Sequence, residues 1–232
     1  MIFTLQNKLF SALLLLLIFG CAQQPQIEQD ISDKISDNTS NDTVILLHGL
    51  WRDSRAMTPM EDYLATRGFT VHNLSYPSNK YPIEELSNNH LQPLIEKIVR
   101  EAPTAKMHFV THSMGGILVR YYLRNNPNIN LGKVVMLSPP NKGTELSDLA
   151  TQLSLEFPGP AGEQLSTNVD SWVNSLGPVD FELGIIAGSY SSNWLTSFIL
   201  DGEDDGVVSV ENTKVAGMSD FLVLPEKHFR IR

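Results

Sequence analysis

The sequence predicts an α/β domain with a doubly wound, mostly parallel β-sheet that is flanked by helices. Two observations predict this fold class. Short continuous apolar runs, the first at Thr43–Leu47, are typical of strands that are buried on both faces of a sheet. Segments with helical apolar spacing alternate with these runs, which indicates β-α-β units and parallel strands. In such a sheet, functional side chains gather in the loops that follow the carboxyl ends of the strands.

The predicted elements follow one another in order from Thr43. Helical spacing covers Ser54–Arg67 and ends at Gly68, a residue type that favours helix termination. Further strands are predicted at Phe69–Leu74, Met107–Val110, Lys133–Leu137, Phe181–Ala187 and Phe221–Leu224, and further helices at Ile83–Arg100 and Met114–Arg124. The segment Glu145–Val179 is mixed and contains several Pro and Gly residues, so it predicts no single long element.

The composition excludes some classes of protein. A chain of 232 residues with 42% apolar and 19% charged residues is normal for one soluble globular domain with its own core. The formal net charge of -9 and the lack of a Lys/Arg run exclude a nucleic-acid-binding protein, because phosphate binding needs a clustered positive surface. No cluster of His and Cys indicates zinc, and we expect no cofactor.

The first twenty residues have the features of a signal peptide. Lys8 precedes an apolar stretch that runs to Phe19 and is short for a membrane span. The only Cys of the chain, Cys21, follows directly after Gly20. This arrangement resembles the lipobox of bacterial lipoproteins, which implies that Cys21 is lipidated and becomes the mature N-terminus. The alternative is an ordinary secretory signal with a coincidental Cys.

The lipobox resemblance also implies a location and a domain organisation. Ala22 after the Cys implies an exported lipoprotein anchored to the outer membrane and facing the periplasm. We expect a signal peptide at 1–20, the lipidated Cys with a disordered tether at 21–42, and one folded domain at 43–232. The tether is rich in Gln, Ser, Asp and Asn and lacks apolar periodicity.

The strongest chemical signal is a nucleophile motif at the end of a predicted strand. The segment Thr111–Gly116, THSMGG, passes from a strand through a tight turn into a helix, and Ser113 at the turn is the predicted nucleophile. Gly115 and Gly116 leave room on the helix side, and the helix amides favour negative charge there. Thr111 stands where Gly is usual, so we expect some strain. The alternative is a Ser that caps an ordinary helix.

Five blocks of sequence, in the same order, resemble small bacterial α/β-hydrolases of the esterase/lipase group. They are Val44–Trp51, Thr111–Gly116, Leu137–Thr144, Asp204–Val208 and Leu224–His228. The resemblance implies the α/β-hydrolase fold over the whole predicted domain. It also implies a serine hydrolase that cleaves acyl or lipid esters through an acyl-enzyme.

The chain order of this fold assigns the partners of Ser113. A Ser nucleophile needs a His base and a carboxylate that orients the base, and the order in α/β-hydrolases is Ser, acid, His. His228 is the only His after Ser113, so it is the predicted base. Asp205 is the predicted acid by resemblance, because related lipases carry their acid directly before the Gly of this block. Asp204 stays open as the alternative.

Two backbone amides are predicted to stabilise the oxyanion of the transition state. One is the N–H of Met114, directly after the nucleophile. The other is the N–H of Leu50, because His48-Gly49-Leu50 resembles the oxyanion loop of lipases, in which the His shapes the loop. Trp51 beside this loop either lines an acyl pocket or belongs to the core.

Two departures affect the predicted site. His228 lies four residues before the last residue of the sequence, whereas relatives continue into a helix, so we expect either that this helix is dispensable or that the base is loosely held. An EF-hand that began at Asp201, in the acidic segment Asp201–Gly206, would need Asp or Asn at its third position and Glu at its twelfth. The chain has Glu203 and Asn212 there, so an EF-hand is excluded, although another kind of calcium site stays open.

The mixed segment after Thr144 has two interpretations. Its apolar residues either form a small lid or only pack on the core; they include Leu153, Leu155, Phe157, Pro158 and Trp172. The function also has alternatives, since the same triad serves acyltransferases, thioesterases and amidases, and an envelope lipoprotein can use the fold without catalysis. The three predicted catalytic residues favour an ester hydrolase, because a binding module needs none of them.

Overall fold

The computed structural model describes residues 42–156 and 158–232 of the chain. The predicted signal peptide, the lipidated Cys21 and the tether up to residue 41 lie outside the described residues, and so does Phe157. These points stay predictions. In the part of the chain that is described, no helix is both long enough and apolar enough to cross a membrane.

Six parallel strands of the described residues form one sheet. They are β1 (Thr43–Leu47), β2 (Thr70–Leu74), β3 (Met107–His112), β4 (Leu131–Leu137), β5 (Leu183–Gly188) and β6 (Asp220–Leu224). Their order across the sheet is β2-β1-β3-β4-β5-β6, and every neighbouring pair is parallel. The chain moves from β1 to one side and then returns to place β3 on the other side, so the sheet is doubly wound. The predicted fold class is confirmed.

Helices and short helical turns connect the strands. They are α1 (Thr58–Thr66), α2 (Ile83–Glu85), α3 (Gln92–Glu101), α4 (Met114–Asn125), α5 (Glu145–Gln152), α6 (Pro160–Glu163), α7 (Trp172–Ser175), α8 (Trp194–Ile199) and α9 (Val210–Thr213), with a 3-10 turn at Ser54–Met57 and a π-helical segment at Leu86–Leu91. Strand side chains alternate between the two faces of the sheet. Val44 and Leu46 of β1 accordingly pack with Met57, whereas Ile45 and Leu47 belong to the larger core cluster on the other face.

The structure differs from the sequence prediction where local hydrogen bonds outweigh apolar periodicity. The helix predicted at Ile83–Arg100 is helical throughout but passes through the π-helical segment, which a 3.6-residue period cannot reveal. The sequence reading also missed α8 and α9. Both are too short to show a period, and side-chain caps begin them. Asn193 accepts the amide of Leu195, and Ser209 accepts that of Asn212.

Arg120 on α4 connects three parts of the domain at a buried position. Its Nη1 donates to the backbone O and to Oδ1 of Asn141, at 3.1 Å and 3.0 Å, and its Nη2 donates to the carbonyl of Gly177 at 2.7 Å. Burial lowers the pKa of Arg120 to about 10, so the guanidinium stays charged at neutral pH. It therefore holds the loop after β4 and the segment after α7 against α4.

We expect the substitution Arg120→Met to lower the free energy of unfolding by about 3 kcal/mol, because the acceptors of Asn141 and Gly177 lose their donor while the site stays buried. Urea denaturation at neutral pH measures the change. Arg124→Met is the matched control, since Arg124 lies one turn further along α4, is exposed and makes one bond of 3.3 Å to Ser175. Equal losses in the two variants would contradict this role of Arg120.

Candidate active site

The loops at the carboxyl ends of the strands bring the predicted site residues together. Ser113 directly follows β3, and Leu50 lies in the loop after the neighbouring β1. Asp205 comes from the segment after β5, and His228 follows β6. The change of direction in the sheet lies between β1 and β3, which is the position where doubly wound sheets form their clefts.

Backbone strain is concentrated at this edge of the sheet. Ser113 has φ 54° and ψ -129°, a region that residues other than glycine rarely occupy. Four non-glycine residues of the described part have positive φ, and three of them, Trp51, Ser113 and Ser138, directly follow or lie close after β1, β3 and β4. Each such conformation costs about 1–3 kcal/mol and persists where the surroundings hold it.

The strain expected from Thr111 does not take the form of a positive φ at that residue. Thr111 keeps its place in the sheet, where it pairs with Leu47 of β1 and Met136 of β4. The positive φ lies two residues later, at Ser113. The backbone of β3 thus accommodates a β-branched residue at its buried end, and Oγ1 of Thr111 is buried without a hydrogen-bond partner among the described atoms.

Two glycines allow the loop after β1 to approach the nucleophile closely. A Cβ on Gly115 would lie 2.7 Å from the carbonyl oxygen of His48. A Cβ on Gly49 would lie 2.9 Å from the Cβ of Ser113. Side chains at either position would therefore push the loop and the start of α4 apart. Gly115 supplies the room that the sequence motif predicted.

Three predicted side chains form a chain of hydrogen bonds. Nε2 of His228 lies 2.9 Å from Oγ of Ser113, and Nδ1 of His228 lies 2.8 Å from Oδ2 of Asp205. His228 is 2% exposed and Asp205 is 3% exposed, so little water competes for these bonds. The arrangement places a hydroxyl, an imidazole and a carboxylate in the sequence that proton removal from a Ser requires.

The two neighbouring aspartates have different partners. The second carboxylate oxygen of Asp205 accepts the amides of Val207 and Val208, at 3.0 Å and 2.9 Å. The Oδ1 of Asp204 accepts the amide of Gly206 at 2.7 Å and the hydroxyl of Ser197 at 3.2 Å. Of the two candidates for the acid, Asp205 is the one in contact with the imidazole.

The charge of Asp205 follows from its surroundings. Burial by itself raises the pKa of this carboxyl group. The positive charge of His228, its hydrogen bond and the donors from Ser138 and Val208 together outweigh burial, so the pKa of Asp205 lies below its usual value. The group is therefore a carboxylate that accepts the Nδ1–H of His228. In the neutral imidazole, Nε2 then carries the lone pair that faces the Ser113 hydroxyl.

The predicted oxyanion donors lie at the same place. Met114 is the first residue of α4, so its amide has no acceptor within the helix. Leu50 lines the same cleft as Ser113. Burial lowers the pKa of His48, so this ring is neutral, as suits a residue that shapes the loop.

Tyr76, in the loop after β2, holds the loop after β1 through His48, and the sequence did not identify it. Its hydroxyl donates to the carbonyl of His48, and its amide donates to Nε2 of His48 at 3.3 Å. The two rings stack with centroids 4.2 Å apart. Burial raises the pKa of Tyr76, so the phenol keeps its proton. Its position after a strand is the one feature of the sequence that points to it.

A cleft of about 350 Å³ opens above Ser113 and is mainly apolar. Trp51 is 51% exposed and forms part of its wall, so it does not belong to the core. The residues around the cleft are Leu50, Trp51, Arg52, Ser113, Pro140, Thr144, Leu146, Ser147, Pro158, Gly162, Leu165, Val207, Val208, His228 and Phe229.

The mixed segment after Thr144 lines the cleft and also packs on the core. Leu146 and Leu165 line the cleft, while Leu165 and Val173 also belong to the main core cluster. Leu153 and Leu155 are exposed. The segment is thus a wall of the cleft, and its movement as a lid stays a prediction.

The described residues contain no group of three His, Cys, Asp or Glu side chains that could hold a metal ion. In the acidic segment, Asp204 and Asp205 are each engaged by hydrogen bonds within the protein.

Comparison with known proteins finds a matching family and solved structures with a similar fold. A sequence model described as "Alpha/beta hydrolase family" matches residues 44–209, which is more than half of the chain. The mature lipase of Bacillus licheniformis has a similar structure, with a TM-score of 0.65, 20% identity, and coverage of 83% of this chain and 86% of the lipase.

Two other solved structures are also similar. A phospholipase from Legionella pneumophila gives a TM-score of 0.63 at 18% identity, with coverage of 81% of this chain and 53% of that one. A metagenomic carboxyl esterase gives a TM-score of 0.59 at 15% identity, with coverage of 82% of this chain and 65% of the esterase. At these sequence identities, the similarity shows a shared fold alone.

We expect the Asp205 carboxylate to stabilise the domain at neutral pH and to lose this effect in acid. Because its pKa is depressed in the folded state, the stabilisation is present above the unfolded pKa, about 4, and disappears as the pH falls through the folded value. Between about pH 5 and pH 2, the free energy of unfolding should fall more steeply for the wild type than for Asp205→Asn, which has no such proton to gain. Parallel curves in urea denaturation would contradict the depressed pKa.

Proposed function

The chain belongs to the alpha/beta hydrolase family, and from this membership we propose that it is a serine hydrolase that cleaves carboxylic esters with a triad of Ser113, His228 and Asp205. One observation carries the proposal. The hydroxyl, imidazole and carboxylate form continuous hydrogen bonds of 2.9 Å and 2.8 Å at the floor of an apolar cleft. A binding module gains nothing from a strained Ser paired with a buried His.

The first half of the reaction forms an acyl-enzyme. Nε2 of His228 takes the proton of Ser113 as Oγ attacks the ester carbonyl, and Asp205 stabilises the imidazolium that results. The carbonyl oxygen becomes an oxyanion. When the tetrahedral intermediate collapses, the bond to the alkoxy group breaks, and His228 gives its proton to the departing alcohol. The acyl group then remains on Oγ of Ser113.

The second half repeats these steps with water. His228 takes a proton from water, the hydroxide attacks the acyl carbonyl, and the acid leaves as the proton returns to Ser113. In both halves, the amides of Leu50 and Met114 are the proposed donors to the oxyanion. Such a donor contributes about 3 kcal/mol, because it is already oriented and water is excluded around it.

The walls of the cleft support an acyl substrate. Leu50, Trp51 and Leu146 offer apolar surface next to Ser113, which suits the hydrocarbon part of an acyl ester. The names of the similar structures, a lipase, a phospholipase and a carboxyl esterase, agree with this substrate class.

Exposed apolar residues beside the loop that carries Asp205 support a lipid substrate in particular. Trp194 and Phe198 of α8 are 75% and 89% exposed, and Ser197 between them donates to Asp204, the neighbour of the acid. A large apolar surface beside a cleft is typical of contact with lipid or with another protein. We propose that lipidation of Cys21 holds the domain at a membrane, where such a substrate is concentrated.

We expect Ser113→Ala to lower the hydrolysis of p-nitrophenyl acyl esters by at least about 10³-fold, because the acyl-enzyme no longer forms. The variant should also lose labelling by a fluorophosphonate probe. Ser175→Ala, which removes an exposed hydroxyl on α7, is the matched control and should keep both activities.

The same experiment separates the alternatives. A folded wild type that neither hydrolyses these esters nor reacts with the probe would overturn the proposal. Labelling without ester turnover would point to an amidase, a thioesterase or an acyltransferase that uses the same triad. A series of esters of increasing acyl length then defines the substrate that the apolar cleft accepts.

We expect Asp205→Asn to lower kcat by about 10³- to 10⁴-fold, because the amide favours the wrong tautomer of His228 and does not stabilise the imidazolium. Asp204→Asn is the control at the neighbouring position. Its amide oxygen still accepts the bonds from Gly206 and Ser197, so kcat should stay within about threefold of the wild type. The reverse ranking of the two variants would assign the acid to Asp204.

A further inference from the structure

His112, directly before the nucleophile, contacts the base in a way that the reaction above does not use. Its Nε2 lies 2.7 Å from the backbone carbonyl oxygen of His228. His112 is buried, and its ring lies 4.8 Å from the ring of His228 at an angle of 51°. The end of β3 therefore touches His228 twice, through the Ser113 hydroxyl on the ring and through His112 on the backbone.

The acceptor determines which tautomer His112 adopts. A carbonyl oxygen can only accept, so Nε2 of His112 carries the hydrogen. Among the described atoms, its Nδ1 has no hydrogen-bond partner, and a Cβ on Gly49 would lie 3.1 Å from it. The ring of His112 thus packs between Gly49 of the loop after β1 and His228.

His112 stays neutral while the base gains and loses its proton. Burial, and after it the positive charge of His228, hold the pKa of His112 well below its usual value. A second imidazolium at this distance would oppose protonation of His228. His112 is therefore a hydrogen-bond donor that does not take part in the proton transfer.

The loop that carries His228 needs such a contact because it follows a strand at the edge of the sheet. β6 pairs with β5 alone, and Leu222 on it is exposed. The backbone of His228 is tied on both sides. Its amide donates to the carbonyl of Asp205 at 3.0 Å, and its carbonyl accepts from His112. Only the second of these bonds leads directly to β3, at the centre of the sheet.

We propose that His112 is a positioning residue, whose Nε2–H fixes the backbone of His228 so that the imidazole stays within hydrogen-bond distance of Ser113. This inference rests on the proposed function. It goes beyond it because it explains how a loop after an edge strand is held in register with a nucleophile on a central strand.

The test compares two amide variants that differ in reach. The amide of His112→Gln extends about as far as Nε2 of the imidazole, whereas that of His112→Asn ends near the position of Nδ1 and does not reach His228. We expect His112→Gln to keep kcat within about threefold, and His112→Asn to lower it about 10- to 100-fold with little change in KM. His72→Asn, in β2, is the control for a histidine replaced in a neighbouring strand.

A second measurement separates positioning from general damage to the site. If His112 acts through His228, adding His112→Asn to a His228→Ala variant should leave the residual ester hydrolysis unchanged. An equal loss in both backgrounds would overturn the inference, and so would a folded His112→Asn with wild-type kcat. Thermal unfolding verifies that each variant is folded, and His112→Leu replaces His112→Asn if the latter is not. A wild type without turnover or labelling would instead overturn the proposed function, and this inference with it.

Discussion

The hydrogen bond between His228 and Ser113 joins side chains that lie 115 residues apart, and the domain is arranged so that this bond stays short. Ser113 follows β3 near the middle of the sheet, whereas His228 follows β6 at its edge, with β4 and β5 between them. Parallel pairing brings all carboxyl ends to the same side, but it does not by itself bring β3 and β6 together. Two residues connect His228 to the rest of the site. Asp205 bonds to His228 through both its side chain and its backbone, and His112 bonds to the backbone carbonyl of His228.

Several unfavourable features at the site have to be offset elsewhere in the domain. Positive φ at Trp51, Ser113 and Ser138 costs about 1–3 kcal/mol for each residue. Large side chains such as Phe109 and Ile117 are fully buried beneath the site, and burial of each stabilises the fold by about 1.5–3 kcal/mol. The strained turn therefore lies next to fully buried side chains of the core. The loops supply the side chains of the site, whereas the sheet and α4 supply these buried side chains.

The sequence predicted those parts of the site that depend on chain order and on strand ends. Apolar runs located the strands, and the turn after one of them located Ser113, whereas the resemblance to lipases and the chain order assigned Leu50 and His228. Asp205 was predicted as the acid by resemblance alone and Asp204 stayed open, because adjacent side chains point in different directions only once the loop is folded.

His112 and Tyr76 show a second limit of the sequence. Both act by hydrogen bonds to backbone carbonyls, of His228 and His48, and every residue has a backbone carbonyl. No pattern of side chains can mark such an acceptor. The helices α8 and α9 were missed because each begins at a single side-chain hydrogen bond, and the π-helical segment at Leu86–Leu91 was missed because a 3.6-residue period does not reveal it.

The cleft has walls of two kinds, and they differ in how freely they can change. On one side, Leu50 follows Gly49, where an added Cβ would lie 2.9 Å from the Cβ of Ser113, so substitutions at this glycine disturb Ser113 directly. On the other side, Leu146 and Leu165 come from the segment between β4 and β5, which contributes none of the hydrogen bonds between Ser113, His228 and Asp205. Under the proposed function, substitutions in the second wall can therefore change which acyl group fits while the hydrogen bonds between Ser113, His228 and Asp205 stay in place.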